Sequence, residues 1–300
     1  MDKIFKITET DYDSIKKGIN SLLKEYTFLR SMSIGKSCLG REIYALKLGN
    51  AKNYSLITAG INGSEYITSV ISLIWFENLC EAIKNDRIFC GLNAKKALYG
   101  RGVIIVPSVN PDGCEIALKG ASAGLNMSEE IGKLCHGNYK IFNANARGVN
   151  INNNFGAGWE ELKQAEIKKG VLAPHHSEFC GYTQKSEPET RAICRLCETG
   201  RIRHILDLHL GGKTIYRSYK SKAPKKSRQM AEILATAGGY SIDCTGELLQ
   251  DSGLKNWFIS EFDRPAFTLR MGKERENLSV RNAEKLVEEI SEMLMLATVM

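Results

Sequence analysis

The stretch YSLITAGINGSE, residues 54–65, decides the fold. Tyr54–Ala59 is a short apolar run of strand length. It stops at a glycine-containing turn, Gly60-Ile61-Asn62-Gly63-Ser64, and the chain then takes on a helical pattern from about Glu65 to Ile83. A fully apolar strand feeding a helix through glycines is the unit of a sheet covered on both faces. The same signals recur along the chain. GVIIVP (102–107) is a buried strand followed by the turn former Asn110-Pro111-Asp112-Gly113. His204–Leu208 and Ala266–Met271 are further strands, and Thr27–Ser33 with Glu42–Leu48 suggests a hairpin around Gly35 and Gly40. Helical periodicity covers the segment from Thr10, which can cap it, to Tyr26. It returns at Glu187–Glu198, Ser227–Ala237, Leu254–Phe262 and Asn282–Leu296. The expected fold is therefore α/β, with a mixed, mostly parallel central sheet covered by helices on both faces. No repeat, linker or composition shift divides it, so residues 1–300 read as one domain. Ligands of such sheets bind beyond the carboxyl ends of the strands; Asn62, Glu65, Asn110 and His209 fall just past strand ends, and Arg270 falls at one.

Composition narrows the classes. Lysine and arginine number 41 against 34 acidic residues, a net charge of +7, and 43% of residues are hydrophobic. These are ordinary values for a globular chain. The one basic stretch, Arg217–Arg228, has Tyr219 as its single aromatic and reads as a solvated loop, so no nucleic-acid partner is expected. No apolar run approaches the roughly 18–20 residues of a membrane span, so no membrane partner is expected either. The nine scattered cysteines and an N-terminus without an apolar export stretch suggest reduced thiols and a cytoplasmic location. Gly35-Lys36-Ser37 lacks the earlier glycine of a phosphate loop. Cys194 and Cys197 read as small core residues, and His175-His176 as surface histidines.

Seven segments, in order, carry a resemblance: IGKSCLGREIYALKLG (34–49), AGINGSEY (59–66), VPSVNPDG (106–113), NARGVNINNNF (145–155), SEPETRAI (186–193), DLHLGG (207–212) and PAFTLRMG (265–272). Together they resemble the M14-type zinc carboxypeptidases. The NARGV and SEPET segments point to the bacterial branch that cuts γ-D-glutamyl–diaminopimelate bonds in cell-wall peptides. The resemblance implies zinc held by two imidazoles and one carboxylate, a glutamate general base, and an arginine that holds the substrate carboxylate. Carried onto this chain, His209 and Glu65 take two of the three metal-ligand positions. Asn62 stands at the third, and Arg270 stands at the general-base position. Asn152 matches the substrate-contacting amide, Asn153 stands where that arginine belongs, and Arg147 is a further candidate for an anionic ligand or for a structural ion pair.

The replacements share a physical direction. An amide oxygen is a poor donor for zinc beside an imidazole, and a guanidinium accepts no proton. With zinc and Glu65, Arg270 would leave two uncompensated positive charges, whereas without metal Glu65 and Arg270 cancel. The expectation is a weakly active or inactive peptidase with weak or absent zinc, in which Arg270 reaches Glu65 directly or through water and the pocket binds a peptide or cell-wall muropeptide. The alternatives are an active metallopeptidase whose missing groups come from elsewhere, for example His136, His175 or His176, or that uses a different metal, and a noncatalytic scaffold.

Overall fold

The computed structural model describes residues 3–6, 8, 10–220, 222–243, 252–273 and 283–300. Its strands are β1 (Arg30–Lys36), β2 (Glu42–Gly49), β3 (Tyr54–Thr58), β4 (Ile88–Phe89), β5 (Leu92–Asn93), β6 (Gly102–Val106), β7 (Ile202–Leu210), β8 (Thr214–Tyr216), β9 (Ser241–Asp243) and β10 (Ala266–Met271). Apart from the small β4–β5 ladder they form one sheet, ordered β1-β2-β6-β3-β7-β10-β8-β9. β6, β3, β7 and β10 run parallel, while β1 and β2 on one side and β8 on the other pair antiparallel.

The period-2 alternation of the central strands loads both faces. Ile57, Ile105, Leu206 and Phe267 point into a core with helices Tyr12–Glu25, Ile67–Lys84, Ser227–Gly238 and Ala283–Val299. Leu56, Ile104, Ile205 and Ala266 point into the opposite core, against helices Pro188–Thr199 and Leu254–Phe262. The expected mixed α/β sheet is thus present. Strands buried on both faces have no polar side, which is why they read as continuous apolar runs.

Several boundaries differ from the sequence reading. Asp11, not Thr10, caps the first helix, its carboxylate accepting from the Ser14 N–H at 2.8 Å. A charged Asx side chain serves the exposed first-turn N–H groups. β1 begins three residues later than expected because it pairs through Lys36↔Glu42 across the turn at Gly40, and a bulge lies between Ser33 and Gly35. As a largely exposed edge strand it carries no burial signal to mark its start. β7 runs past Leu208 to Leu210, since β10 pairs with it through His209↔Arg270 and Leu210↔Met271. His209 is therefore a strand residue, not one beyond the strand. The segment 119–139 is mostly helical turns around a small core of Ile116, Ile131, Cys135 and Phe142.

One helical stretch, Gly63–Lys84, is long and apolar enough to cross a membrane by length and composition, contrary to the sequence reading. It is a core helix, with 78% of its apolar window buried in the protein. Its buried Glu77 accepts the N–H groups of Ile4 and Phe5, tying down the N-terminal segment. Cys194 and Cys197 are buried core residues, as expected. Among the described residues every cysteine is a free thiol, and Cys244 lies outside them.

Candidate active-site cavity

The turn after β3 must pass close to the start of helix Pro111–Lys119. Gly63 permits this, because a Cβ there would sit 2.5 Å from the carbonyl oxygens of Gly113 and Phe142. A single 3₁₀ turn, Gly63–Glu65, then brings Asn62 and Glu65 back over the end of β7. Asn110 caps the neighbouring helix. Its amide oxygen accepts from the Gly113 N–H at 2.9 Å, and its NH₂ donates to the Ala144 carbonyl at 3.0 Å. It is a turn former, as the sequence suggested.

Asn62, Glu65 and His209 converge. His209 Nδ1 lies 2.9 Å from Glu65 Oε2 and 3.4 Å from Asn62 Nδ2. On its other side Nε2 lies 2.8 Å from Asp207 Oδ2, and Asp207 Oδ1 accepts from the Thr58 hydroxyl at 2.6 Å. Both ring nitrogens face carboxylate oxygens, which favours the protonated ring. Burial alone would pull its pKa down, but Asp207 and Glu65 outweigh that and hold it up at about 9. Asp207 was not singled out in the sequence. The signal was there, since residues i and i+2 of a strand share a face.

The same alternation places Thr268 and Arg270 of β10 on the face that carries Asp207 and His209, with Arg270 beside His209 in register. A cavity of about 200 Å³ opens there, lined by Asn62, Asn152, Asn153, His209, Thr268 and Arg270 among others. Ser252, Gly253, Leu254, Lys255 and Asn256, at the start of helix Leu254–Phe262, complete one wall. Sequence reasoning missed this wall, because no local motif marks it. Asn152 Oδ1 accepts from the Leu254 N–H at 3.3 Å, and Asn153 donates to the Glu178 carbonyl at 3.1 Å.

Arg270 makes no direct ion pair with Glu65, the first of the two contacts expected. Its guanidinium lies over the Tyr216 ring, 5.8 Å from the centroid, while His209 takes the Glu65 carboxylate. The imidazolium is the nearer cation, and the aromatic face of β8 holds the arginine. Arg147 is not among the cavity-lining residues. Its Nε pairs with Glu187 at 3.0 Å, and Asn145 donates to the same carboxylate at 2.7 Å. The NARG and SEPET segments therefore fasten two loops to each other. His175 Nδ1 accepts the N–H groups of Ser177 and Glu178, and its ring packs on His176 at 4.1 Å. Neither histidine, nor His136, lines the cavity.

A second group, Cys38, Asp112 and Glu189, brings ligand atoms within 4.8 Å of one another. Internal bonds occupy it. Asp112 accepts from Ser37 Oγ, the Leu39 N–H and the Cys38 thiol, and pairs with Arg41 at 2.7 Å. Burial pushes the Glu189 carboxyl up to about 7 from its ordinary 4.5. On the other side of the sheet, burial and then Arg203 pull His204 down to about 4 from 6.5, with its ring bonded to the Ala297 carbonyl at 2.7 Å. The two act oppositely on stability. Glu189 contributes fully below pH 4.5, and its contribution is lost as pH rises through 7. His204 contributes fully above pH 6.5, and its contribution is lost as pH falls through 4. Each is worth on the order of 3 kcal/mol. Urea melts in steps from pH 4 to 7 compare each variant's profile with the native one. Glu189→Gln should lose stability on acidification, and His204→Asn should lose it as pH rises. Parallel profiles for all three proteins would contradict this assignment.

The sequence pattern of the zinc carboxypeptidases matches residues 15–276. The chain belongs to the M14 zinc carboxypeptidase family. It is 26% identical to gamma-D-glutamyl-L-diamino acid endopeptidase 1 of Lysinibacillus sphaericus over 285 residues, 93% of this chain and 69% of that one. It is 28% identical to the uncharacterized protein YqgT of Bacillus subtilis (strain 168), over 88% of this chain and 70% of that one. Among solved structures, thrombin activatable fibrinolysis inhibitor superposes with a TM-score of 0.76 at 17% identity, covering 96% of this chain and 73% of that one. At that identity the likeness concerns the carboxypeptidase fold alone. M14 zinc carboxypeptidases are zinc-dependent. In this member the converging donors are one imidazole, one carboxylate and one neutral amide.

Proposed function

We propose that this chain is a member of the M14 family that holds a cell-wall-type peptide without zinc and without efficient hydrolysis. The observation that carries the reading is the set of contacts at His209. Its Nδ1 is bonded to Glu65, the third converging side chain is Asn62, and Arg270 stands next to it in register. This donor set does not fit a catalytic zinc. A metal there would have an amide as its third protein ligand and a guanidinium beside it. No group at Arg270 can take a proton from water, and loss of a general base alone removes about two to four powers of ten in rate. The substrate class comes from the relative in Lysinibacillus sphaericus, whose name gives a γ-D-glutamyl–diamino acid bond as its target. The cavity's amides and cations suit a polar peptide with acidic groups.

The purified chain should carry well under one zinc per molecule and leave L-Ala-γ-D-Glu-diaminopimelate uncut. At a hundredfold its dissociation constant that tripeptide should add about 2.7 kcal/mol of stability, a rise in melting temperature of roughly 5 °C. Stoichiometric zinc together with cleavage of the tripeptide would overturn the reading.

A further inference from the structure

Resting on that reading, we propose that Arg270 makes the cavity a receptor for a free carboxylate, so that the ligand held is the acid-terminated, already cleaved form of the peptide. Three observations point to a negatively charged occupant. First, Arg270 Nε is buried with no hydrogen-bond partner, and among the described residues Arg270 forms no ion pair; Glu65 and Asp207 both bond to His209 instead. A buried guanidinium donor without an acceptor is costly, and a planar carboxylate is its natural complement. Second, the described lining residues include no aspartate or glutamate beside Arg270. Third, the lining supplies further amide groups. The Asn152 carbonyl oxygen is taken by the Leu254 N–H, which leaves its NH₂ as a donor. Asn62 Oδ1, buried without a donor, offers the acceptor for a neighbouring peptide N–H.

An intact amide at this place would put a neutral carbonyl against Arg270. Cleavage replaces that carbonyl by a carboxylate, which completes the ion pair. At about 200 Å³ the cavity is smaller than the roughly 300–1,000 Å³ of drug-sized sites and suits a peptide end of one or two residues. The reaction that supplies such a ligand is therefore hydrolysis of a γ-glutamyl amide by another enzyme.

The test uses L-Ala-D-Glu and L-Ala-D-Gln, which differ only in a γ-carboxylate against a γ-carboxamide, with the intact tripeptide as a third probe. Calorimetric titration of the wild-type chain should find the acid at least tenfold tighter than the amide. In Arg270→Gln that ratio should fall to within twofold. If Arg270→Gln does not fold, the wild-type ratio decides, together with its decline at high salt. Equal binding of acid and amide would overturn this proposal while leaving peptide binding intact, and an acid preference unchanged in Arg270→Gln would place the carboxylate elsewhere. No binding of any probe would overturn both readings.

Discussion

The triple variant Asn62→His, Asn153→Arg, Arg270→Glu should take up one zinc per chain, more than a hundredfold tighter than the parent protein. The geometry favours this. Asn62 Nδ2 already lies 3.4 Å from His209 Nδ1, so an imidazole at position 62 would meet the same point as His209 and Glu65. Electrostatics favours it too. Zinc with Glu65, Asp207 and Arg270 leaves a net positive charge in a buried site, whereas zinc with Glu65, Asp207, a glutamate at 270 and an arginine at 153 is neutral. Loss of an outer-shell partner alone costs about 10–100-fold in metal affinity, so restoring a direct ligand and reversing an adjacent charge should exceed that. Asn62→His by itself should gain much less, because Arg270 still repels the ion. Competition against a chromophoric chelator measures all three proteins. A folded triple variant that takes up no zinc would refute the assignment of these positions.

The second large effect is expected at Asp207. Asp207→Ala should lower stability by about 3–5 kcal/mol, the cost of removing one partner from a buried charge pair, and the melting temperature by roughly 10 °C. Asp207 is 1% exposed in a central strand and holds both the Thr58 hydroxyl and the His209 ring. Without it one imidazolium N–H is left in the core with no acceptor, and the Thr58 hydroxyl loses its partner too. Asp207→Asn should cost less, since its carbonyl oxygen still accepts one of the two bonds. Thermal melts followed by circular dichroism decide it, and a change under 2 °C for Asp207→Ala would show that the chain Thr58–Asp207–His209–Glu65 contributes little.

The candidate site was only partly legible. Glu65, His209, Asn62, Asn152, Asn153 and Arg270 lie in ordered segments after or within apolar strands, and the fold brings them to one cavity. Asp207 was readable from strand alternation with His209, but an aspartate in a strand draws attention only once its neighbour is known to matter. Lys255 and Tyr216 left no trace, because their approach depends on how helix Leu254–Phe262 and the short antiparallel β8 sit against β10. Arg147 had two readings of equal standing, and its partner Glu187 lies forty residues away in sequence.

Local physics determined the elements of this protein. Apolar runs that alternate onto two faces, glycines where backbones touch, and capping side chains all act within a few residues, so they can be read in order along the chain. Tertiary structure decided which charge meets which. Whether Arg270 or the His209 imidazolium takes Glu65 depends on distances of a few ångströms between strands far apart in sequence, in a medium where pairing energies change steeply with separation and burial. Asn62, Glu65, Asn152, Asn153, His209 and Arg270 could therefore be named from the sequence, but the wall from Ser252 to Asn256 and every pairing belong to the folded sheet.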